Sequence, residues 1–299
     1  MSEKSPVSID QDKCIQCMEC VRTCPTATLY EKNGNILISK LAKTQCIRCA
    51  HCMGVCSEDA VTIDRYDKSE KIPVPKFKID PENLMNFMRS RRSIRLFKPD
   101  PIPKSELERL IDAARYAPSG HNDQPSQFTV ITGEKVKEIR NTIVKEISII
   151  VNSLPEDPEK MVKILENFVP KNMVNSMISV IDPMKRIFAE MEKGGRDVLF
   201  WGAPALIIIT AHKRYNVNTM IIENATLAAA YLMLMAEAMD LGTISLGMLM
   251  FAIYYSRKVR KLIGLPKDHK ARYCLAVGRK DTNFKYLVPR NKPKINFVE

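Results

Sequence analysis

Two different patterns of hydrophobic residues follow each other along the chain. Before residue 68 the apolar positions form short runs, such as residues 36–38 and 61–63, which predict brief strands. From residue 81 onward apolar side chains recur at helical spacing, beginning with Leu84, Met85 and Met88. Because a chain of 299 residues is also longer than most single hydrophobic cores, the pattern predicts two domains.

The boundary between the two patterns lies at residues 68–80. This stretch contains two prolines and alternating charges, which disfavour helix and predict an extended linker. Asp80 is a suitable N-cap and Pro81 a suitable first helical residue, so a helix is predicted to begin there. The predicted domains are therefore residues 1–67 and residues 81–299.

Further elements are predicted in the second domain. Ser105 and Glu108 have the spacing of a capping box, which predicts a second helix ending near Ala117. Apolar runs at residues 127–132 and 205–210 predict strands. The region thus mixes helices with strands.

The most apolar part of a further predicted helix, residues 221–239, is the run at residues 225–236. Twelve residues are too few to span a bilayer, which takes about 18–20, so the run predicts a buried core helix rather than a membrane segment. The first residues also lack the apolar core of a secretory signal. A cytoplasmic location without membrane attachment is therefore expected.

Composition and charge narrow the functional classes. Hydrophobic residues make up 45% and charged residues 27%, as in ordinary globular proteins. The formal net charge is +12, and the whole excess lies in residues 76–299, because the first 75 residues carry equal numbers of basic and acidic side chains. The basic stretch 254–299 lacks regular aromatic interleaving, helix-turn-helix spacing and zinc-finger spacing, so nucleic acid is not expected as a partner.

Eight of the nine cysteines form an internal repeat with a shift of 32 residues: Cys14 corresponds to Cys46, Cys17 to Cys49, Cys20 to Cys52 and Cys24 to Cys56. Each half reads CxxCxxCxxxC. Three closely spaced thiolates can bind three irons of one cube, whereas the fourth iron needs a ligand from elsewhere. A pair of zinc sites is the alternative, although zinc usually takes two pairs of ligands.

This repeat, over roughly residues 5–67, resembles the two-cluster bacterial ferredoxins. The resemblance implies that the fourth cysteine of each run serves the other 4Fe-4S cluster. One cluster would be bound by Cys14, Cys17, Cys20 and Cys56. The other would be bound by Cys46, Cys49, Cys52 and Cys24.

Three nearby residues need a separate interpretation. Ser57 follows the second run where Pro25 follows the first, and this departure concerns a local turn rather than a ligand. His51 lies inside the second run and is interpreted as a bystander near the cluster. The ninth cysteine, Cys274, lies in an apolar run and is expected to be a buried, inert thiol.

Three arginines and a serine stand together where the first helix of the second domain is expected to end: Arg91, Arg92, Ser93 and Arg95. Guanidinium groups offer forked donors that suit a phosphate or an anionic ring system. A solvated basic face is the alternative.

Six segments in order resemble the landmarks of the nitroreductase family of flavoenzymes. They are RRSIR at 91–95, APSGHNDQPSQF at 117–128, GAPALIII at 202–209, ENATLAAAYLML at 223–234, LGTISLG at 241–247 and VPRNK at 288–292. The resemblance covers about residues 81–299. It implies an α+β fold with an antiparallel-rich central sheet flanked by helices, a domain-swapped homodimer, and one FMN at each of two subunit interfaces.

The resemblance also implies the residues that bind FMN. The first group, with the last two near the phosphate, consists of Arg91, Arg92, Ser93, Arg95, Arg290 and Lys292. The group that reaches the flavin from the partner subunit consists of Ser119, Gly120, His121, Asn122 and Gln124. The group at the flavin N5 edge consists of Ser245, Leu246 and Gly247.

Two of these residues have expected electronic roles. Arg95 would lie near the pyrimidine edge, where a cation stabilises the anionic reduced flavin, and the Gly247 amide would donate to N5. Two departures from the family pattern concern the pocket: His121 stands where a smaller residue is usual, and Ser245 where an aromatic residue often is.

Residues 134–196 have the least readable pattern. Methionines recur there at helical spacing, at Met173, Met177, Met184 and Met191. Core packing is the expected role of such a stripe. Because the family places variable helices over the flavin at this point, a lid over the substrate is the alternative.

Together the two resemblances predict an FMN- and iron–sulfur-dependent oxidoreductase of nitroreductase type, working under anaerobic conditions. A low-potential donor such as ferredoxin would reduce the clusters, and the clusters would reduce FMN. The acceptor would be a nitroaromatic, a quinone, an activated alkene or a halogenated aromatic compound, and no protein residue would act as a nucleophile. NAD(P)H is the alternative donor, and an electron carrier or redox sensor without turnover is the alternative function.

Overall fold

The computed structural model describes residues 5–167, 171–216 and 220–299 and divides the chain into two compact units. The first unit contains the residues up to Ile79 together with the loop Pro118–Gln124, and the second contains the rest. The sequence had predicted that this loop belongs to the second domain. The structure assigns it to the first unit, where its polar side chains find hydrogen-bond partners.

The first unit is built from short elements. They are β1 (Val7–Ile9), α1 (Glu19–Arg22), β2 (Leu29–Lys32), β3 (Asn35–Ile38), α2 (Ala42–Gln45), α3 (His51–Val55) and β4 (Val61–Ile63). β1 pairs antiparallel with β4, and β2 pairs antiparallel with β3. The strands predicted at residues 36–38 and 61–63 are therefore confirmed, and a 3-10 turn at Lys68–Glu70 follows them.

The backbone of the first unit repeats with the same shift as the cysteines. The φ angle is 54° at Gln16 and 52° at Arg48, and it is 65° at Met18 and 62° at Ala50. Left-handed backbone is costly for residues other than glycine. Its recurrence at equivalent positions therefore indicates that both cysteine loops are held in the same specific conformation. Loops that alternate in this way turn successive N–H groups toward one side, where they face an anionic group.

The second unit is larger and mixes helices with one sheet. Its elements are α4 (Pro81–Ser90), α5 (Lys104–Ala114), β5 (Gln127–Thr132), α6 (Glu134–Ser153), α7 (Pro158–Leu165), α8 (Lys171–Glu192), β6 (Ala205–His212), α9 (Ile221–Ala238), β7 (Leu241–Ser245), α10 (Gly247–Tyr255), α11 (Arg257–Ile263) and β8 (His269–Arg279). The strand order is β5-β6-β8-β7, and every pair is antiparallel. The predicted α+β fold with an antiparallel sheet is confirmed.

Both faces of this sheet are buried under helices. In β6, Leu206 and Ile208 pack into one core with α6, α8 and α10, while Ile207 and Ile209 pack into another with α5 and α9. All four side chains are fully buried. A strand covered on both sides has a continuous apolar run, which explains the unbroken apolar sequence of the strand predicted at residues 205–210.

One helix start was predicted correctly and another was not. The Asp80 carboxylate accepts a hydrogen bond of 2.8 Å from the Asn83 amide, as expected of an N-cap. By contrast, α5 begins at Lys104, so Ser105 lies inside the first turn and caps nothing. Glu108 forms an ion pair of 3.5 Å with Lys104 instead of closing a capping box.

The long apolar helix α9 is buried on one side. By length and composition it is long and apolar enough to cross a membrane, and among the described helices it alone is so, although core helices of globular proteins meet the same criterion. Ala228, Ala229 and Leu232 are buried in the core, whereas Ile222 and Tyr231 are exposed. The prediction of a buried core helix is therefore correct for one side of α9 only.

Two of the four predicted methionines can be placed. Met191 is buried in the core beneath the sheet, and Met184 packs against the same core. The side chains of Met173 and Met177 lie outside the described residues. Core packing is thus the role of the two methionines whose surroundings the structure describes.

Candidate cofactor sites

The eight repeat cysteines surround two cavities in the first unit. One cavity is lined by Cys14, Cys17, Cys20 and Cys56. The other is lined by Cys24, Cys46, Cys49 and Cys52. Each cavity takes three cysteines from one run and the fourth from the other run, which is the grouping implied by the resemblance.

The arrangement fits a polynuclear cluster. Four thiols line each cavity, three from one run and one from the other. This is the ligand set of a 4Fe-4S cube, so the residues fit that cofactor. Within the described part of the chain, no group of three or more His, Cys, Asp or Glu side chains is identified as one that could hold a metal ion.

The thiols in each cavity oppose one another's ionisation. Burial, together with the other three cysteines of its cavity, raises the pKa of Cys20. In the second cavity, burial and the other three cysteines raise the pKa of Cys52 to about 12. Because thiolates are the metal ligands, a complete set in either cavity requires bound cations to balance its charge.

Backbone hydrogen bonds favour sulfur ligands at the two crossing cysteines. The Ala60 amide donates to Cys56 Sγ at 3.2 Å. Burial disfavours the Cys24 thiolate, but hydrogen bonds from the backbone at Leu29 and Thr26 outweigh it and lower the pKa of Cys24. Hydrogen bonds to cluster sulfurs are one means by which proteins set cluster potentials.

The turn after the second run does not depend on proline. Ala27, after the first run, and Asp59, after the second, have φ angles of 51° and 50°. Each donates its amide to the carbonyl of the preceding fourth cysteine, at 3.4 Å and 3.3 Å. Replacement of proline by Ser57 therefore leaves this turn unchanged.

The remaining candidates around the cysteines have minor roles. His51 lines the second cavity, as expected of a bystander. Cys274 is 2% exposed in β8, and burial raises its pKa, so it is an inert core thiol as predicted.

A basic cavity lies in the second unit. The described residues that line it are Arg92, Ser93, Arg95, Phe284 and Arg290. Three guanidinium groups and a hydroxyl provide charge-assisted donors for a phosphate-bearing ligand, so the residues fit the flavin nucleotide implied by the sequence.

The arginine segment is positioned by the edge of the sheet. Ser93 forms a bridge with Thr243 of β7, and the Ile94 amide donates to the Thr243 carbonyl at 3.0 Å. A Cβ added at Gly242 would lie 2.7 Å from Ile94 Cγ1, so the close approach requires glycine. Gly242 thus lets the segment lie flat on β7 and present its polar side chains to the cavity.

Arg95 is also oriented by an aromatic ring. Its guanidinium lies 5.8 Å from the centroid of the Trp201 ring, and that of Arg196 lies 5.2 Å from the same centroid. Such cation–π contacts are each worth about 0.5–1 kcal/mol at exposed sites. No motif predicted the role of Trp201, although it is the only tryptophan of the chain.

The structure brings together four of the predicted flavin residues, namely Arg92, Ser93, Arg95 and Arg290. Arg91 instead forms the C-cap of α4, and Lys292 lies in the exposed final segment, so neither lines the cavity. Phe284 was not predicted. It lies in a stretch without regular structure after β8, and a lone aromatic residue there carries no recognisable signal.

The other two predicted groups lie elsewhere in the structure. Ser245 ends β7 and shares a hydrogen bond of 2.7 Å with the Tyr273 hydroxyl, Leu246 is buried, and Gly247 begins α10. The predicted residues between Ser119 and Gln124 belong to the first unit. Their participation in a flavin site stays a prediction.

Replacement of Gly242 by alanine is expected to weaken both the fold and flavin retention. The added methyl group displaces Ile94, and overpacking of this kind costs about 1–3 kcal/mol. We expect a lower free energy of unfolding and less flavin in the purified protein, measured by denaturant titration and visible absorbance. Ile94→Ala in the same background should restore flavin content, whereas wild-type values in Gly242→Ala would contradict this role.

Two family models match the chain. The nitroreductase family model matches residues 88–279, and a 4Fe-4S binding domain model matches residues 6–29. The second match covers the first cysteine run alone, so the second run is related to it through the internal repeat.

Individual proteins similar to the chain match different parts of it. The iodotyrosine deiodinase of Thermotoga neapolitana is 26% identical over 72% of this chain and 97% of its own length. A ferredoxin of Methanothermococcus thermolithotrophicus is 36% identical over 19% of this chain and 95% of its own. The structure of an FMN-dependent nitroreductase of Clostridium difficile R20291 shares the fold, with a TM-score of 0.50 and 21% identity over 73% of this chain and 100% of the other. The chain spans 16 to 22% of the length of the first curated relatives it matches.

Proposed function

Because the chain belongs to the nitroreductase family, we propose that it is an oxidoreductase in which two 4Fe-4S clusters supply electrons to FMN. Membership and the N-terminal iron–sulfur domain together make it an FMN-dependent oxidoreductase. The clusters handle single electrons, whereas FMN accepts one or two and passes them to an organic acceptor. The electron donor is a low-potential protein such as reduced ferredoxin.

The observation that carries this proposal is the grouping of eight cysteines around two cavities ahead of the flavin-type unit. Each cavity has the four thiols that a 4Fe-4S cluster needs. A single cluster would leave four of these cysteines without a role. Two clusters make the first unit a supply of single electrons to the flavin of the same protein.

The chain's own residues would hold FMN by charge. Arg92, Ser93 and Arg290 offer donors to the phosphate, and Arg95 offers a cation to the flavin ring. Arg91 and Lys292 are close to these residues in sequence and add further positive charge. Acceptor classes are nitroaromatics, quinones, activated alkenes and halogenated aromatics, and the similarity to a deiodinase supports the last of these.

The protein is proposed to act as a homodimer in the cytoplasm. Ile222, Leu227 and Tyr231 are exposed on the outer side of α9, and the final segment also exposes apolar side chains such as Tyr286 and Phe297. Exposed apolar side chains such as these would be buried in a protein–protein interface. A partner subunit would cover it and complete the flavin sites.

Anaerobic turnover with paired donors tests the proposal. Reduced ferredoxin, NADH and NADPH are compared as donors over a panel of the four acceptor classes. Faster acceptor reduction with ferredoxin than with either nicotinamide is expected. Reduction of clusters and flavin without turnover of any acceptor would favour an electron carrier instead, and equal rates with protein lacking clusters would remove them from the path.

A further inference from the structure

The loop of residues 118–124 has a strained backbone. The φ angles are 51° at His121, 54° at Asn122 and 48° at Gln124. None of these residues is glycine, so each left-handed conformation costs free energy that surrounding contacts must offset. A loop with three such residues in four is held in one shape by its neighbours.

Arg65 and Tyr66 of the first unit supply these contacts. The Arg65 guanidinium donates to the carbonyl oxygens of Asn122 at 2.7 Å and Asp123 at 3.1 Å. The Tyr66 hydroxyl accepts from the side-chain amides of Asn122 at 2.9 Å and Gln124 at 3.1 Å. Two hydrogen bonds donated by Arg65 and two accepted by Tyr66 therefore hold the loop in one conformation.

The same contacts join the loop to one of the cysteine runs. The Asn122 side-chain amide donates to the Arg48 carbonyl at 2.7 Å, and the Tyr66 hydroxyl donates to that carbonyl at 3.1 Å. Arg48 lies between Cys46 and Cys49, which line the second cavity. One main-chain carbonyl thus links the loop to the binding segment of the second cluster.

We infer that the cluster of the second cavity is the one that reduces FMN, and that loop 118–124 is its connection to the flavin. The inference rests on the proposed function and on the resemblance to the nitroreductases, which implies that this loop reaches the FMN of the partner subunit. Arg65 and Tyr66 are then positioning residues, which hold the loop at a fixed separation from the cluster. The cluster of the first cavity lies earlier on the path and receives electrons from the donor.

The electron balance of this step is simple. Each transfer oxidises the reduced second cluster by one electron. Two transfers, together with one proton from solvent, convert oxidised FMN to its anionic reduced form. The second cluster recovers both electrons from the first, and the low-potential donor replaces them there.

Arg65→Gln and Tyr66→Phe, made together in the full-length holoprotein, test the inference. Tyr66→Phe removes only the hydroxyl, and Arg65→Gln removes the charge and the reach of the guanidinium, so both substitutions remove bonds to the loop. After rapid anaerobic mixing with reduced ferredoxin, cluster bleaching should keep its rate while flavin bleaching slows about tenfold or more. Hydrogen exchange of residues 118–124 should accelerate, and direct photoreduction of the flavin, which bypasses the clusters, should keep its rate.

Lys71→Gln is the matched control. Lys71 also contacts a loop of the first unit, because it forms an ion pair of 2.6 Å with Asp59. That loop follows Cys56, which lines the first cavity. The charge change equals that of Arg65→Gln. The control should therefore leave both the flavin bleaching rate and the hydrogen exchange of residues 118–124 unchanged.

Two results would overturn the inference. One is wild-type flavin bleaching in the Arg65→Gln, Tyr66→Phe protein, and the other is equal slowing by Lys71→Gln. Failure of the proposed function gives a different result, because the wild-type protein itself would then bleach its clusters without ever bleaching flavin, or would contain no flavin.

Discussion

Replacing Cys24 and Cys52 together by serine is expected to remove one cluster and to leave the other intact. The two cysteines belong to different runs, but both line the second cavity. A cube needs all four of its thiolates. Loss of two ligands of the same cluster therefore removes only that cluster, just as loss of one ligand does. The anaerobically reconstituted double variant should contain about four irons and four sulfides instead of about eight of each.

The comparison protein is a second double variant, with Cys20→Ser and Cys24→Ser together. These two cysteines belong to the same run but line different cavities. This variant is therefore expected to lose both clusters and nearly all iron. If each run bound its own cluster, the two double variants would exchange their iron contents, so the pair decides whether the fourth cysteine crosses over.

Cys274→Ala is the control for removal of a thiol. Its side chain is buried in the second unit, far along the chain from either run, so the iron content should remain at about eight. Iron, sulfide and zinc are measured in all variants by elemental and colorimetric analysis. A wild-type protein with about two zinc ions and no iron would contradict the whole assignment.

The grouping of the cysteines could be predicted because it follows from local spacing and an exact repeat. The short spacing of Cys14, Cys17 and Cys20 lets one loop supply three thiolates to one cluster, and the shift of 32 residues repeats that spacing in the second run. The crossing of Cys24 and Cys56 needed the resemblance to ferredoxins. Two of the four strands of the first unit, at residues 36–38 and 61–63, could also be predicted, since their short apolar runs are buried against the cysteine loops.

What could not be predicted depends on contacts that are distant in sequence. The loop 118–124 belongs to the first unit through its hydrogen bonds with Arg65 and Tyr66. No local sequence pattern predicts such bonds. Phe284 lines the basic cavity from a segment without periodicity. The exposed side of α9 has the same apolar composition as its buried side, because interfaces and cores select the same residues. Hydrophobic pattern alone does not separate the two.

The capping-box pattern also predicted the wrong start for α5. Ser105 and Glu108 satisfy the capping pattern, yet Lys104 joins the helix and pairs with Glu108. Glu106 is likewise engaged elsewhere, in an ion pair of 2.6 Å with Arg279. An ion pair to β8 depends on the tertiary fold, so the local motif does not show which partner a side chain of the first turn will have.

Replacing both Arg92 and Arg290 by glutamine is expected to leave the purified protein almost free of flavin. The two residues are nearly two hundred positions apart, yet they line the same cavity. Hydrogen bonds to charged groups contribute about 1.5–3 kcal/mol each, so each substitution should raise the Kd for FMN by about 10- to 100-fold. FMN fluorescence quenching during titration of flavin-free protein measures the change.

Arg89→Gln is the control for loss of one positive charge. Arg89 lies on α4 only three residues before Arg92, but its guanidinium bonds to Asn86, and it does not line the cavity. Its replacement should leave the Kd for FMN within about twofold of wild type, since screened charges outside the site contribute little. An equal loss in this variant would mean that overall charge, rather than contact, binds the flavin.

Riboflavin separates phosphate binding from ring binding in the same variants. It carries the flavin ring without the phosphate, so a residue that binds only the phosphate affects FMN alone. Arg290→Gln should therefore weaken FMN binding strongly and riboflavin binding hardly at all, because its guanidinium offers the forked donors that a phosphate accepts. Arg95→Gln should weaken both, since the proposed function places its cation at the ring. The reverse pattern would assign Arg290 to the ring and Arg95 to the phosphate.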